Sequence, residues 1–141
     1  MRYTKLPIVE AIPFQMGQLF GNIIGNALKF AKKDAPLVLT ITSSPLDKEA
    51  MQTSSLNPDL NYHLIRFSDN GIGFKEEYAE QIFHIFQRLH LKTEYEGTGI
   101  GLALCKKIAL NHGGDINATE SSENGAVFNL ILPVNQMELV K

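Results

Sequence analysis

The stretch "GTGIGLALCKKIALNHGG", residues 97–114, decides the fold class of this chain. Three glycines lead into apolar residues at helical spacing, and Gly113–Gly114 is a typical left-handed helix stop. A glycine-rich turn before a helix loosely matches a dinucleotide-binding fingerprint, but that fingerprint needs a strand immediately before it. The preceding "LHLKTEYE" (89–96) is polar and irregular, so the Rossmann interpretation fails. What remains is a helix N-terminus with free N–H groups, which favours phosphate.

Helical periodicity predicts two further helices. Residues 14–33 form one, because their pattern ends in lysines just before Pro36. Residues 75–89 form the other, with a buried stripe that includes Phe83 and Phe86. The third helix runs from about Gly101 to His112.

Alternating and β-branched runs predict the strands. Residues 37–43 and 62–68 should pair as an antiparallel hairpin around a long Ser/Pro/Asn/Asp-rich loop. The runs 115–120 and 126–133 flank Asn124–Gly125, a strong hairpin signal. Residues 1–10 form a short strand-like lead-in. This order of elements is not the β-α-β alternation of a parallel sheet. It predicts an α+β two-layer sandwich, with a mixed, mostly antiparallel sheet of about five strands covered on one face by three helices.

Bulk composition narrows the function classes. The chain has 141 residues with a formal net charge of -2, so we expect a single domain over residues 1–141 that is monomeric when isolated. The basic and acidic residues are spread along the sequence, so the charge pattern does not indicate binding to nucleic acid or to an anionic membrane. The single Cys105 fits a reducing compartment and a small core side chain. No long apolar run or signal-peptide pattern is present, so we expect a soluble domain without membrane contact.

The first helix carries an unusual polar stripe. Steps of 100° per residue place on one side Gln18, Asn22, Asn26, Lys29 and Lys33. The roughly opposite side holds Phe20, Ile24, Ala27 and Ala31. Asn is unfavourable inside helices because its amide competes for the backbone. The stripe is therefore either a solvated face, or a set of oxygen donors and a cation directed at a common ligand.

The hexapeptide "DNGIGF" (69–74) offers a second candidate feature. Asp69 falls on the same side of its predicted strand as Ile65 and Phe67, where a carboxylate is costly unless it is hydrogen-bonded. An amino group on a ligand ring could supply that bond, and Gly71 and Gly73 would let the backbone approach something flat. The alternative is an ordinary tight turn.

Other chemistry has little support. The spacing of Phe83 and Phe86 is typical of core residues. Arg88 and Lys92 are either rim charges or phosphate contacts. The histidines show no metal-ligand spacing, so we expect no metal site made by protein groups alone.

Together and in this order, the segments resemble the ATP-binding catalytic domain of sensor histidine kinases, in the GHKL superfamily with its Bergerat fold. "QLFGNIIGNALKF" (18–30) resembles the N box, "DNGIGF" the first glycine box and "IFHIF" (82–86) the F box. The opening stretch resembles the second glycine box, and "GAVFNLILP" (125–133) the last strand. The resemblance covers residues 6–133, and four ordered motifs make it specific where each alone is not.

The resemblance implies roles for individual residues. Asn26 and Asn22 would face Mg²⁺ carried by ATP, Lys29 would meet the phosphates, and Phe30 would pack on the adenine. Asp69 would accept a hydrogen bond from the adenine amino group. The other implied nucleotide-binding positions are Gly71, Ile72, Gly73 and Phe83 near the base, and Gly97, Thr98, Gly99, Ile100, Gly101 and Leu102 near the phosphates.

A mobile lid over residues 87–96 is also implied, with Arg88 joining Asn22 and Lys29 as a catalytic candidate. The family's phosphate acceptor is a His followed by an acidic residue on a separate dimerisation domain, whereas the four histidines here are followed by Leu, Ile, Leu and Gly. We therefore expect the C-terminal part of a longer two-component sensor kinase, which binds ATP and Mg²⁺ but does not autophosphorylate alone. Its partners would be the parent's dimerisation domain and a response-regulator receiver domain. Its location would be the cytoplasm, even where the parent is membrane-anchored.

Two alternatives stay open. Gyrase-type and chaperone ATPases, and serine kinases of the superfamily, place a Glu as general base four residues before the Mg²⁺-binding Asn. Here that position is Asn22, which favours phosphorylation of a histidine, itself a nucleophile. A degenerate, non-catalytic ATP-binding interaction module is the other alternative. The presence of every implied ligand-facing residue argues against it.

Overall fold

The computed structural model describes residues 2–3, 11–47, 56–57, 59–73, 81–83, 101–120 and 125–134. Two α-helices and a β-sheet make up the regular structure of these residues. In chain order the elements are β1 (Arg2–Tyr3), α1 (Pro13–Lys29), β2 (Leu39–Pro45), β3 (Tyr62–Asp69), a 3₁₀ turn (Gln81–Phe83), α2 (Gly101–Asn111), β4 (Asp115–Glu120) and β5 (Ala126–Pro133).

The strands lie in the order β1-β2-β3-β5-β4. The four longer strands pair antiparallel throughout, and β1 adds a two-residue parallel pairing to β2. Both predicted antiparallel pairings are confirmed, with β2 displaced two residues toward the C-terminus. The α+β class, with an antiparallel sheet and two helices, is confirmed. The counts of about five strands and three helices stay predictions, because the helix expected at 75–89 lies outside the described residues apart from the 3₁₀ turn.

One face of the sheet packs against the helices. Its central residues include Phe67 on β3 and Phe128 on β5, each 1% exposed. The buried residues that α1 contributes are Leu19, Ile23 and Ala27, and those that α2 contributes are Cys105, Ile108 and Ala109. Burial of a large apolar side chain stabilises a fold by roughly 1.5–3 kcal/mol, so this interface fixes which side of each helix faces inward.

The inward face of α1 differs from the prediction. Leu19, Ile23 and Ala27 are buried, whereas Phe20 and Ile24 are only partly buried. The buried face is thus rotated toward the asparagine stripe. As a result, Asn22 and Asn26 sit half-buried at the border of the core instead of on an outer face.

Helix α1 also ends at Lys29 and not at residue 33. Phe30 leaves helical geometry with φ -104° and ψ 23°, and its carbonyl oxygen accepts a hydrogen bond from Ile72 N at 3.0 Å. The prediction that Lys33 shares the helical stripe is therefore wrong, and Lys33 is exposed beyond the helix. A tertiary contact ends this helix where the local pattern would have continued it.

Helix α2 ends as predicted. Gly113 adopts a left-handed φ of 78°, Gly113 N donates to Leu110 O at 3.0 Å and Gly114 N to Ala109 O at 3.0 Å. These two bonds form a Schellman motif. Neither of the two described α-helices has the length and apolarity needed to cross a membrane.

Candidate nucleotide site

Asp69 is a buried carboxylate at the C-terminal end of β3. It is 8% exposed, and its Oδ1 accepts hydrogen bonds from Gly71 N at 2.8 Å and Ala126 N at 3.3 Å. Burial raises the pKa of Asp69 above its ordinary value, and the two backbone N–H groups partly oppose that rise. Among the described residues both bonds go to Oδ1, which leaves Oδ2 for a donor from outside them.

Gly71 brings the backbone close to the end of α1. A Cβ at this position would lie 2.6 Å from Phe30 O and 3.0 Å from Asp69 Oδ1. The neighbouring Ile72 N donates to the same Phe30 oxygen at 3.0 Å. The first glycine box is therefore attached directly to the C-terminus of the N-box helix, and only glycine fits at position 71 without a shift of backbone.

Two more glycines shape this region. Gly73 has a φ of 68°, a conformation that side chains other than glycine's rarely adopt. Gly125, immediately before β5, packs so tightly behind Asp69 that an added Cβ would lie 1.9 Å from the Asp69 carbonyl oxygen. Asp69 is thus enclosed by backbone on two sides.

Asn70 stabilises the same region through its side chain. Its Oδ1 accepts from Val38 N at 2.8 Å, and its Nδ2 donates to Pro36 O at 3.0 Å. These bonds tie the segment between α1 and β2 to the first glycine box. This role of Asn70 was not predicted, although Asn side chains in turns often bind backbone groups.

The α1 side of the site carries Asn22, Asn26 and Lys29. Asn22 Nδ2 donates to Gly101 O at 3.4 Å, a long hydrogen bond that reaches α2. Lys29 is exposed, and its Nζ lies 5.6 Å from the centroid of the Phe30 ring. The cation therefore sits beside the aromatic ring that was predicted to pack on adenine.

Gly101 begins α2 and faces Asn22 across the gap between the helices. A Cβ on Gly101 would lie 3.9 Å from the side-chain amide of Asn22, which is ordinary contact. Leu102 is partly buried and packs against the core. The N–H groups of the first turn of α2 have no acceptor within the helix, so this end favours an anion.

The structure therefore brings together many of the predicted positions. Those placed between β3, the C-terminal half of α1 and the start of α2 are Asn22, Asn26, Lys29, Phe30, Asp69, Gly71, Ile72, Gly73, Gly101 and Leu102. Others fall outside the described residues, namely Arg88, Gly97, Thr98, Gly99 and Ile100, together with the expected lid at 87–96.

Phe83 is a core residue. It is 7% exposed and meets Phe128 edge to face, with ring centroids 6.2 Å apart. Lys106 Nζ lies 5.8 Å from the centroid of the Phe83 ring. The burial of Phe83 agrees with its predicted helical stripe, and its contact with a nucleotide stays a prediction. Cys105, at 0% exposure, is the core side chain that was expected.

Two polar clusters on α2 and at its C-terminal end were not predicted from the sequence. Lys106 Nζ lies 2.6 Å from Asp115 Oδ1 and donates to Ile116 O at 3.1 Å. His112, 2% exposed, accepts from Ile12 N at 3.0 Å through Nε2 and contacts Ile108 O at 2.9 Å through Nδ1. The first joins α2 to β4, and the second joins the end of α2 to the start of α1.

The described residues fit an adenine nucleotide with its divalent cation. The carboxylate of Asp69 can accept from an exocyclic amino group, and Gly71 and Gly73 next to it carry no side chain. A helix N-terminus and a lysine lie where phosphates would be neutralised, and amide oxygens are hard ligands that suit Mg²⁺.

Comparison with known families agrees with this geometry. Residues 11–136 match the family described as histidine kinase-, DNA gyrase B- and HSP90-like ATPases. The chain belongs to this family. Its curated relatives include cyanobacterial phytochrome A from Nostoc, at 41% identity over 96% of this chain and 16% of the relative. The sensor protein kinase WalK from Staphylococcus aureus is 31% identical over 95% of this chain and 30% of the relative.

Solved structures give the same fold. The catalytic domain of histidine kinase ThkA, in a nucleotide-free form, aligns with a TM-score of 0.66 at 29% identity, covering 90% of this chain and 72% of that one. The mycobacterial sensor histidine kinase MprB aligns with a TM-score of 0.74 at 20% identity, covering 95% and 80%. Within its family, this chain is an ATP-binding catalytic domain of the sensor histidine kinase type. It spans about a sixth of the length of the first curated relatives, at 16%, 16% and 15%.

Proposed function

We propose that this domain transfers the γ-phosphoryl group of ATP to a histidine on a dimerisation domain of the same parent protein, from which a response-regulator receiver domain takes it. The parent would be a longer two-component sensor kinase, with residues 1–141 as its catalytic unit in the cytoplasm. The observation that carries this proposal is the buried carboxylate of Asp69, at the end of β3. Its Oδ1 accepts hydrogen bonds from Gly71 N and Ala126 N.

Recognition of the base rests on Asp69. The ionised carboxylate accepts from the adenine amino group, and charge-assisted hydrogen bonds of this kind are about twice as strong as neutral ones. Gly71 and Gly73 supply a floor without side chains, and Ile72 and Phe30 flank it. Guanine carries a carbonyl oxygen at the corresponding ring position, so it would face the carboxylate with an acceptor and be rejected.

Binding of the phosphates rests on α1 and the start of α2. Asn26 offers an amide oxygen to Mg²⁺, which when bound neutralises charge on the phosphate oxygens. Lys29, three residues further along α1, and the N-terminal turn of α2 add positive potential. Gly97, Thr98, Gly99 and Ile100 would extend this cradle, and Arg88 would reach the γ-phosphate.

The chemistry left to the protein is mainly positioning and charge neutralisation, as in other phosphoryl transfers. A neutral imidazole nitrogen is itself a nucleophile, so the acceptor histidine needs no general base here. The amide of Asn22 cannot act as one, and this favours histidine over water or a serine hydroxyl as acceptor.

Nucleotide titration tests the proposal. The purified chain should bind a fluorescent ATP analogue in the presence of Mg²⁺, should discriminate against the GTP analogue, and should phosphorylate a separately added histidine-containing dimerisation domain. Absence of measurable binding would favour a degenerate interaction module. Rapid ATP hydrolysis without an acceptor domain would favour the ATPase alternative.

Asp69→Asn tests the base contact, with the exposed Asp59→Asn as a matched control. Loss of a charge-assisted bond should weaken the analogue by roughly 10- to 100-fold, while Asp59→Asn should bind as the wild type does. Because Asp69 has a raised pKa, its ionised fraction falls as the pH is lowered through that pKa. The ratio of wild-type to Asp69→Asn affinity should therefore fall toward acid pH, and a ratio independent of pH would contradict the assignment.

A further inference from the structure

The two asparagines of the N-box helix differ in what they contact. Both Asn22 and Asn26 are half-buried and lie one turn apart on α1. The amide of Asn22 donates to Gly101 O at 3.4 Å. In the described part of the chain, by contrast, no hydrogen bond engages the side chain of Asn26. One amide is used by the protein and the other is available to a ligand.

Two hydrogen bonds, from Asn22 and from Cys105, link the two helices. Gly101 is the first residue of α2, and Cys105 follows one turn later on the same face. Cys105 Sγ also approaches Leu19 O at 3.7 Å, within the sulfur hydrogen-bonding range. The start of α2 is therefore held to the middle of α1 at two successive turns.

The chemistry of Cys105 suits this role. Its side chain is 0% exposed, and burial raises its pKa to about 11, a rise that the neighbouring Asn22 amide partly opposes. Near neutral pH the thiol therefore keeps its proton and can donate to Leu19 O.

We propose that Asn22 is a positioning residue, which together with Cys105 fixes the phosphate-facing start of α2 against α1, and that the metal–nucleotide complex is left to Asn26. This rests on the proposed function, because it assigns separate tasks within the same nucleotide site. Asn22 acts on the phosphates through the placement of α2 and makes no metal contact of its own.

The decisive measurement is the magnesium enhancement, defined as the dissociation constant of an ATP analogue in EDTA divided by that in Mg²⁺. Asn22→Ala should weaken binding by roughly three- to tenfold, the range of one or two neutral hydrogen bonds. The factor should be the same with and without Mg²⁺, so the enhancement stays at its wild-type value. Asn26→Ala should remove most of the enhancement and change binding in EDTA by less than about twofold.

Cys105 supplies an independent test away from any metal. Cys105→Ala should weaken the analogue like Asn22→Ala, again with unchanged enhancement, whereas Cys105→Ser should restore affinity because a hydroxyl donates and accepts at the same place. The Asn22→Ala and Cys105→Ala double variant should lose less than the product of the two single losses, since both weaken the same contact between α1 and α2.

Loss of the magnesium enhancement in Asn22→Ala would overturn the inference and make Asn22 a metal ligand. Equal affinity of Cys105→Ala and wild type would also overturn it. If Asn22→Ala lacks the wild-type circular dichroism spectrum, the affinities of Cys105→Ala and Cys105→Ser still test the inference. Failure of the wild-type chain to bind any nucleotide would instead refute the proposed function, so the two failures are distinguishable.

Discussion

Gly71→Ala should damage stability and nucleotide binding together. The new Cβ would lie 2.6 Å from Phe30 O, whereas ordinary contact begins at 3.4 Å, so the carbonyl must retreat by about 0.8 Å. That carbonyl accepts from Ile72 N at 3.0 Å, and a retreat of this size breaks the bond at a cost of roughly 1 kcal/mol. Overpacking adds about 1–3 kcal/mol. We expect the free energy of unfolding to fall by about 2–4 kcal/mol.

Urea unfolding followed by circular dichroism measures this change, and titration with a fluorescent ATP analogue measures affinity. Affinity should also fall, because Gly71 N donates to Asp69 Oδ1 at 2.8 Å and moves with the displaced backbone. Gly17→Ala is the matched control: it lies inside α1 with nothing within 4 Å of an added Cβ. It should raise stability by roughly 0.5–1 kcal/mol. A Gly71→Ala variant within about 0.5 kcal/mol of wild type, with unchanged affinity, would refute the reasoning.

Two further predictions concern α2. Burial raises the pKa of Cys105 to about 11, so alkylation of the native chain by iodoacetamide should be slow, and its rate should keep rising up to about pH 11. The urea-unfolded chain should instead reach its maximal rate near pH 9. A plateau near pH 9 in the native chain would contradict the prediction. Lys106→Met removes the cation that pairs with the carboxylate of Asp115, which is 4% exposed. The free energy of unfolding should fall by about 1–2 kcal/mol. This value is smaller than for a fully buried pair because Lys106 is itself 36% exposed. The exposed Lys107→Met should change it by less than about 0.5 kcal/mol, and equal effects of the two variants in urea titrations would argue against the ion pair.

Local patterns predicted the strands best. The residues of β4 and β5 were predicted from alternation and an Asn–Gly turn, and both strands have those bounds. The same alternation placed Asp69 on the buried side of β3, where it lies. Period-two patterns are informative here because the middle of the sheet buries one face against the helices, whereas Arg66 and Asn129 on its other face pair in an exposed hydrogen bond.

The errors arise where distant parts of the chain meet. Helix α1 ends early because Ile72 binds the carbonyl of Phe30, which no local pattern encodes. Its inward face was misplaced because its outer face is also apolar, with Phe14 74% and Leu28 63% exposed. A helix with apolar residues on several sides does not indicate its own orientation.

The bonds that hold α2 to α1 were missed for the same reason. Asn22 and Cys105 each fitted a simpler interpretation, as a ligand-facing amide and as a core thiol, and only the packing of α1 on α2 brings them to Gly101 O and Leu19 O. The motifs can be identified from their order in the sequence. Which polar side chain binds the protein and which is open to a ligand depends on tertiary contacts.

The arrangement around Asp69 also bears on the synthesis of the protein. Ala126 N donates to the Asp69 carboxylate and Gly125 packs against its carbonyl, yet both residues are translated long after α1 and β3. Strand β5 lies between β3 and β4 in the sheet, so the last-made hairpin must dock before the carboxylate acquires its second backbone donor. A nascent chain that stops short of Ala126 lacks this support, so nucleotide should begin to bind only after β5 has been synthesised. Ribosomes stalled at successive codons around this position would show nucleotide capture beginning abruptly with the emergence of β5.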